Sequence, residues 1–250
     1  LLDGTIIGQR SPTIAHMFKE AGYRTGYVGK WHLLNETCEH AGFDYFKHWL
    51  YGDDHWETPM RDIPSGEDFQ TVTGYNAIGM TDQAIERGFK TGSGDDRLRI
   101  GHLKFFADGG MGARTAWMID PYVDGGQGMP LTPMEELEPA LAKADDAGLA
   151  VMIHAVGDRT NRELASMFER LAQQKKGPDG NEIIWNSQIP QRIEHLQMSR
   201  ASDLQTLADL KIAGCAQPHN MILDINMIDQ CVAEKGRYAY AFQNMLVSGM

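Results

Sequence analysis

Four stretches of this chain place ionisable or imidazole side chains in or just beyond apolar runs. Lys104 and Asp108 accompany an apolar stretch at 100–107, and His154 and Asp158 follow 150–155. Glu194 and His195 close 191–196, and Gln217 and His219 close 214–217. A hydrolytic divalent metal needs imidazole nitrogens and an anionic oxygen arriving from different strands, with one position left for water. A lysine at the first of these places is odd, because an ammonium has no lone pair. It makes sense if CO₂ carboxylates the amine, since the carbamate is an anion able to bridge two metals. A single histidine at a strand end is more often structural, and a single lysine more often forms a surface ion pair. The repeated placement on successive strands is what points to a metal.

These residues need a scaffold that delivers them to one end. The run at 150–155 is almost continuously apolar, as in a parallel strand covered on both faces. Strands are also expected at 100–107, 191–196 and 214–217. Between them lie three helical patterns: 132–148, opened by a Thr132-Pro133-Met134-Glu135 capping box, 161–175, and 202–212 with a Ser-x-x-Gln cap. Alternation of this kind predicts βα units and a parallel sheet or barrel, with catalytic groups at the strands' C-terminal ends. Earlier in the chain, Ser11-Pro12-Thr13 opens a helix that Gly22 ends. A short strand at Tyr27-Val28 follows, 35–79 reads as loop, and 80–87 as one or two helical turns. The stretch 91–96 (Thr-Gly-Ser-Gly-Asp-Asp) is the best linker candidate.

Composition narrows the class. The chain has 250 residues, of which 42% are hydrophobic and 23% charged, in the ordinary range for a globular protein. A formal net charge of −11 argues against a nucleic-acid surface. No apolar run approaches the roughly 20 residues that span a bilayer. Cys38, Cys215 and Cys231 are too few and scattered for a disulfide framework, which is compatible with a reducing, cytoplasmic setting. The chain opens on Leu1 without a signal-peptide pattern and closes just after a helix-like run at 238–248. Both ends are therefore expected to be cut from something longer.

The strings LKFFADGGMGARTA (103–116), VMIHAVGDRTNR (151–162), RIEHLQ (192–197) and CAQPHNMILD (215–224) occur in order. Together they resemble the amidohydrolase-3 branch of the amidohydrolase superfamily, which includes N-substituted formamide deformylases. The resemblance covers about 92–250 and implies the C-terminal half of a (β/α)₈ TIM barrel that hydrolyses C–N bonds of small amide-like substrates. It implies Lys104 as a carboxylated bridging lysine and His154 and His195 as ligands of a divalent metal, zinc by expectation. Asp108 and Arg114 would shape the substrate site, and His219 would face substrate. Two departures go with it. The chain contains no HxH motif, and the family's last-strand aspartate, ligand and general base, is expected beyond residue 250. The catalytic set is thus expected to be incomplete and the chain inactive.

The first part of the chain resembles a different family. SPTIAHMFKEAGYRTGYVGKWHL (11–33), AGFDYF (41–46) and TDQAIE (81–86) are similar to the type I sulfatases, with an α/β, alkaline-phosphatase-like fold. That resemblance implies Lys30 neutralising a sulfate oxyanion and His32 acting beside the nucleophile, with calcium as cofactor were the site complete. The Cys- or Ser-x-Pro-x-Arg nucleophile motif is absent. The expected division is 1–88 sulfatase-like and 89–250 amidohydrolase-like. A sulfatase fragment, or a non-catalytic chimera of the two, stands as the alternative function.

Overall fold

The structure is a computed structural model that describes residues 12–31, 43, 45–50, 57–63, 70–73, 77–95, 99–178, 180 and 183–250. The chain divides into two compact units, Leu1–Gly79 and Met80–Met250. The division expected at 88/89 falls within the second of these.

In the first unit, helix α1 (Ile14–Glu20) starts at Thr13, whose backbone N–H donates to His16 Nδ1 at 3.1 Å. Gly22, at φ +86°, ends the turn that follows, a conformation glycine adopts without a Cβ penalty. Four strands form one sheet: β1 (Gly26–Trp31), β2 (Tyr45–Leu50), β3 (Glu57–Ile63) and β4 (Gln70–Thr73). β1 pairs parallel with β2, and β2–β3 and β3–β4 are antiparallel. The expectation of loop across 35–79 is corrected here. Tyr45-Phe46-Lys47-His48-Trp49-Leu50 is rich in aromatics that favour strands, and its lack of clean alternation hid it.

The second unit begins within α2 (Ala77–Glu86). Strand β5 (His102–Phe106) leads to α3 (Met134–Asp146), β6 (Ala150–Ala155), α4 (Asp158–Gln174), β7 (Arg192–His195), α5 (Ala201–Asp209) and β8 (Ala213–Cys215). α6 (Pro218–Val232), a 3₁₀ turn (Ala233–Tyr238) and α7 (Phe242–Ser248) complete it. The four strands lie in chain order, and every pair is parallel. The fold is therefore α/β with a parallel sheet.

Register and pleat then sort the side chains into two sets. Phe105, Ile153 and Ile193 share one row and are fully buried. They form a core with helix residues such as Leu137, Leu141, Leu164 and Phe168. Each such side chain contributes about 1.5–3 kcal/mol on burial. The alternate rows place Lys104, Met152 and Arg192 together, and Phe106, His154, Glu194 and Cys215 together, on the opposite face. The polar chemistry sits on that second face.

Two expected caps are not made. Thr132 Oγ1 donates to Phe106 O at 2.8 Å at the end of β5, so Pro133, not Thr132, is the N-cap of α3. The hydroxyl is used to tie helix to strand. Ser202 likewise contacts Asp203 at 3.3 Å while Arg200 stands at the N-cap of α5. The helix expected from 161 begins at Asp158, whose carboxylate accepts from Ile119 N–H at 2.8 Å and pairs with Arg200 at 3.1 Å. An anion in the first turn also complements the helix dipole.

Candidate metal centre

Pleat alternation alone would separate the two histidines. His195 pairs with Ala155, one row beyond His154, so a regular strand would point the two imidazoles to opposite faces. The backbone prevents this. His195 and Leu196 both adopt left-handed conformations, φ +75° and +46°, each at a cost of about 1–3 kcal/mol for a non-glycine residue. The result is that the His195 ring lies edge-on to His154, with ring centroids 4.6 Å apart. The fold spends conformational energy to bring two imidazoles together.

Both rings are held by oxygen acceptors, and this fixes their tautomers. A carbonyl can only accept, so His154 Nε2–H donates to Gly109 O at 3.1 Å, placing the lone pair on Nδ1. His195 Nδ1–H donates to Gln217 Oε1 at 2.6 Å, placing its lone pair on Nε2. Such outer contacts orient metal-binding histidines and set which nitrogen is basic. Burial, reinforced by the charge of Lys104 and opposed by the Gln217 hydrogen bond, keeps His195 below the ordinary imidazole value. The ring is therefore neutral at pH 7.

Lys104 completes the group on the same face. Its ammonium lies 5.0 Å from the centroid of Phe106, whose ring is in turn 5.2 Å from His154. Burial, opposed by Glu194 and Cys215 and assisted by Arg192, lowers the amine from 10.5 to about 8. A neutral amine is the form that attacks CO₂, so this environment favours carbamate formation. It also has a consequence for stability. With the folded value near 8 and the unfolded value near 10.5, the unfolded chain binds more protons across that window, and stability rises with pH through it. At pH 7 the charged Lys104 is a cost, reduced by its partial exposure. Lys104→Met is expected to raise the midpoint of thermal unfolding by up to a few degrees at pH 7. In carbonate-free buffer, calorimetry should show the gain fading towards pH 10.5.

Two carboxylates lie nearby. Glu194 Oε1 lies 2.6 Å from Arg192 Nε as an ion pair that lacks hydrogen-bond geometry. Asp108 has no exposed surface, and its two oxygens accept from the N–H groups of Trp117, Val156 and Gly157 and from the Thr160 hydroxyl at 2.7–3.0 Å. Burial raises it to about 6 even though all four donors pull the other way. Asp108 Oδ1 also lies 3.9 Å from His154 Nε2, so this buried carboxylate stands beside the imidazole pair. Arg114 Nε lies 3.0 Å from both oxygens of Asp124, and its guanidinium stands over the Tyr122 ring. His219 is exposed in the first turn of α6. Lys30 lies on β1, and His32 lies outside the described residues. Among the described residues, no three His, Cys, Asp or Glu side chains converge as a metal site by themselves.

Gln217 is the residue that the sequence named without a role. It continues the alternation of Glu194's partner Cys215 by two positions, and that spacing was the available signal. Its amide also donates to Cys215 O at 2.9 Å, which fixes which atom faces His195.

Two solved structures similar to this parallel α/β unit are metal-dependent hydrolases. An uncharacterized metal-dependent hydrolase from Pyrococcus horikoshii is 30% identical, with a TM-score of 0.57 over 68% of this chain and 32% of its own. One from Pyrococcus furiosus is 28% identical, with a TM-score of 0.56 over 68% of this chain and 33% of its own. The chain belongs to the amidohydrolase family, whose model matches residues 52–250. The sulfatase family model matches residues 3–96. Protein LONG AFTER FAR-RED 3 of Arabidopsis thaliana is 28% identical over 153 residues, 60% of this chain. The chain spans about a quarter of that relative's length and about a third of the two structures.

Proposed function

We propose that residues 89–250 carry part of a (β/α)₈ barrel and one portion of a divalent-metal centre, for which zinc is the expected ion. In this reading Lys104, as a carbamate, and His154 and His195 are the protein's ligands, and the reaction class is hydrolysis of C–N bonds in small amide-like molecules. The observation that carries it is the left-handed turn at His195, which sets its ring 4.6 Å from His154 against the strand's own alternation. The donor set fits such an ion: a neutral His195 imidazole with its lone pair on Nε2, a His154 ring oriented by the Gly109 carbonyl, and an amine whose lowered value favours carboxylation. When bound, the ion would polarise the scissile carbonyl. The chain's own part is to orient the imidazoles through Gly109 and Gln217 and to keep Lys104 reactive.

Turnover needs more than these ligands. The chain has no HxH pair, Asp108 is held by four buried donors, and Glu194 lies against Arg192. Loss of a general base alone costs a factor of roughly 10²–10⁴. The 250-residue chain supplied with zinc and bicarbonate is therefore expected to hydrolyse neither N-formyl or N-acyl amides nor aryl sulfates above background. Amide turnover that His154→Ala abolishes would show that other residues complete the site, and would overturn the inactivity. The match of 3–96 to the sulfatases favours a second, fragmentary ancestry for the first unit. With no formylglycine precursor in the chain, that segment has no nucleophile for Lys30 and His32 to assist.

A further inference from the structure

The left-handed pair His195-Leu196 has to be held, and the restraint comes from outside the sheet. Immediately after it, the segment from Gln197 to Ser199 runs antiparallel to the segment from Tyr238 to Tyr240. Tyr240 N–H donates to Gln197 O at 2.7 Å, Ser199 N–H donates to Tyr238 O at 3.0 Å, and Met198 bridges to Ala239. Tyr240 is itself left-handed, at φ +50°. One atom joins the two segments: Asp224 Oδ2, on α6, accepts from Gln197 Nε2 at 3.0 Å and from the Tyr240 hydroxyl at 2.5 Å. Beneath them Met198 and Ile228 pack in one buried cluster, with Tyr240 against it. Of the three left-handed residues, Tyr240 meets this carboxylate oxygen directly, and His195 and Leu196 run straight into Gln197, which meets it too.

We propose that Asp224 is a positioning residue for His195: by binding Gln197 and Tyr240 through one oxygen, it keeps the His195-Leu196 turn left-handed and the His195 imidazole facing His154. The proposal rests on the reading of His195 as a metal ligand. Because both partners meet the same oxygen, an amide oxygen can replace it, and Asp224→Asn should preserve the clamp. Asp224→Leu removes it, and Tyr240→Phe removes one of its two arms.

The test uses the full 250-residue chain with ¹⁵N-labelled histidine, reading the His195 and His154 ring tautomers by long-range proton–nitrogen correlation, and zinc affinity by competition with a chromogenic chelator. The parent chain should show His195 with its proton on Nδ1. Asp224→Leu should mix the His195 tautomers, leave His154 unchanged and lower zinc affinity about tenfold or more. Asp224→Asn should match the parent, and Tyr240→Phe should show a smaller shift in the same direction. Unchanged His195 signals in Asp224→Leu would overturn the proposal. Should Asp224→Leu fail to fold, unchanged His195 signals in Tyr240→Phe would overturn it equally. If the parent takes up no zinc while Asp224→Leu still mixes the His195 tautomers, the positioning role stands and the metal reading falls.

Discussion

Asp108→Ala is expected to remove most or all of the stability of the unit Met80–Met250. The carboxylate is fully buried and satisfies the Trp117, Val156 and Gly157 N–H groups together with the Thr160 hydroxyl. Alanine would leave three backbone donors and a hydroxyl without partners in a space closed to bulk water. Each such group costs about 1–3 kcal/mol, so the sum rivals the roughly 5–15 kcal/mol that stabilises a whole domain. Asparagine restores only part of this, because its amide nitrogen would face donors. Denaturant unfolding followed by tryptophan fluorescence should show a collapsed midpoint, or insoluble protein, for Asp108→Ala. Removing the exposed Asp82, which forms a surface ion pair with Lys143 at 2.6 Å, should change little. An Asp108→Ala chain as stable as its parent would show that these donors find other partners.

Gly157→Ala should fail at the same joint for a different reason. A Cβ on Gly157 would stand 2.0 Å from Trp117 O, 2.5 Å from its carbonyl carbon and 2.7 Å from its nitrogen. All three atoms are backbone, so no rotamer change relieves the clash. The loop carrying Trp117 must move away, yet its carbonyl accepts from Arg159 and Thr160 and its N–H binds Asp108. Overpacking of a core usually costs about 1–3 kcal/mol, and here the broken Asp108 contacts add to it. The expected loss is several kcal/mol by denaturant titration. The Gly157→Ala, Asp108→Ala double variant should lose less than the sum, because both changes break one network. Strict additivity would contradict that shared joint.

Both joints lie directly under the candidate centre, and the sequence conveyed them unevenly. The parallel sheet was legible because the run 150–155 is apolar and the polar residues recur at strand ends; β6 lies where that run predicts it. Helix α6 was not, because Pro218 to Val232 reads as motif residues without a clear apolar stripe, and its Met221, Ile222 and Ile225 are exposed. The helix-like run at 238–248 is split, since Tyr240 turns left-handed before α7 begins. Lys104, His154 and His195 were named from their types and spacing, but their geometry was not readable. A period of two puts the histidines on opposite faces, and only a backbone conformation that no residue type announces turns His195 back. Asp108 and Arg114 were named from their motif, but the full burial of the first and the Asp124 pairing of the second were not readable from it.

The central claim is that Lys104, His154 and His195 hold one divalent ion together, and zinc K-edge X-ray absorption on the chain loaded with one equivalent of zinc in bicarbonate tests it most directly. The account predicts a shell of nitrogen and oxygen ligands at about 2.0–2.2 Å, with the outer scattering of two imidazoles, lost in the His154→Ala, His195→Ala double variant. A spectrum without imidazole scattering, or one that the double variant leaves unchanged, would contradict it.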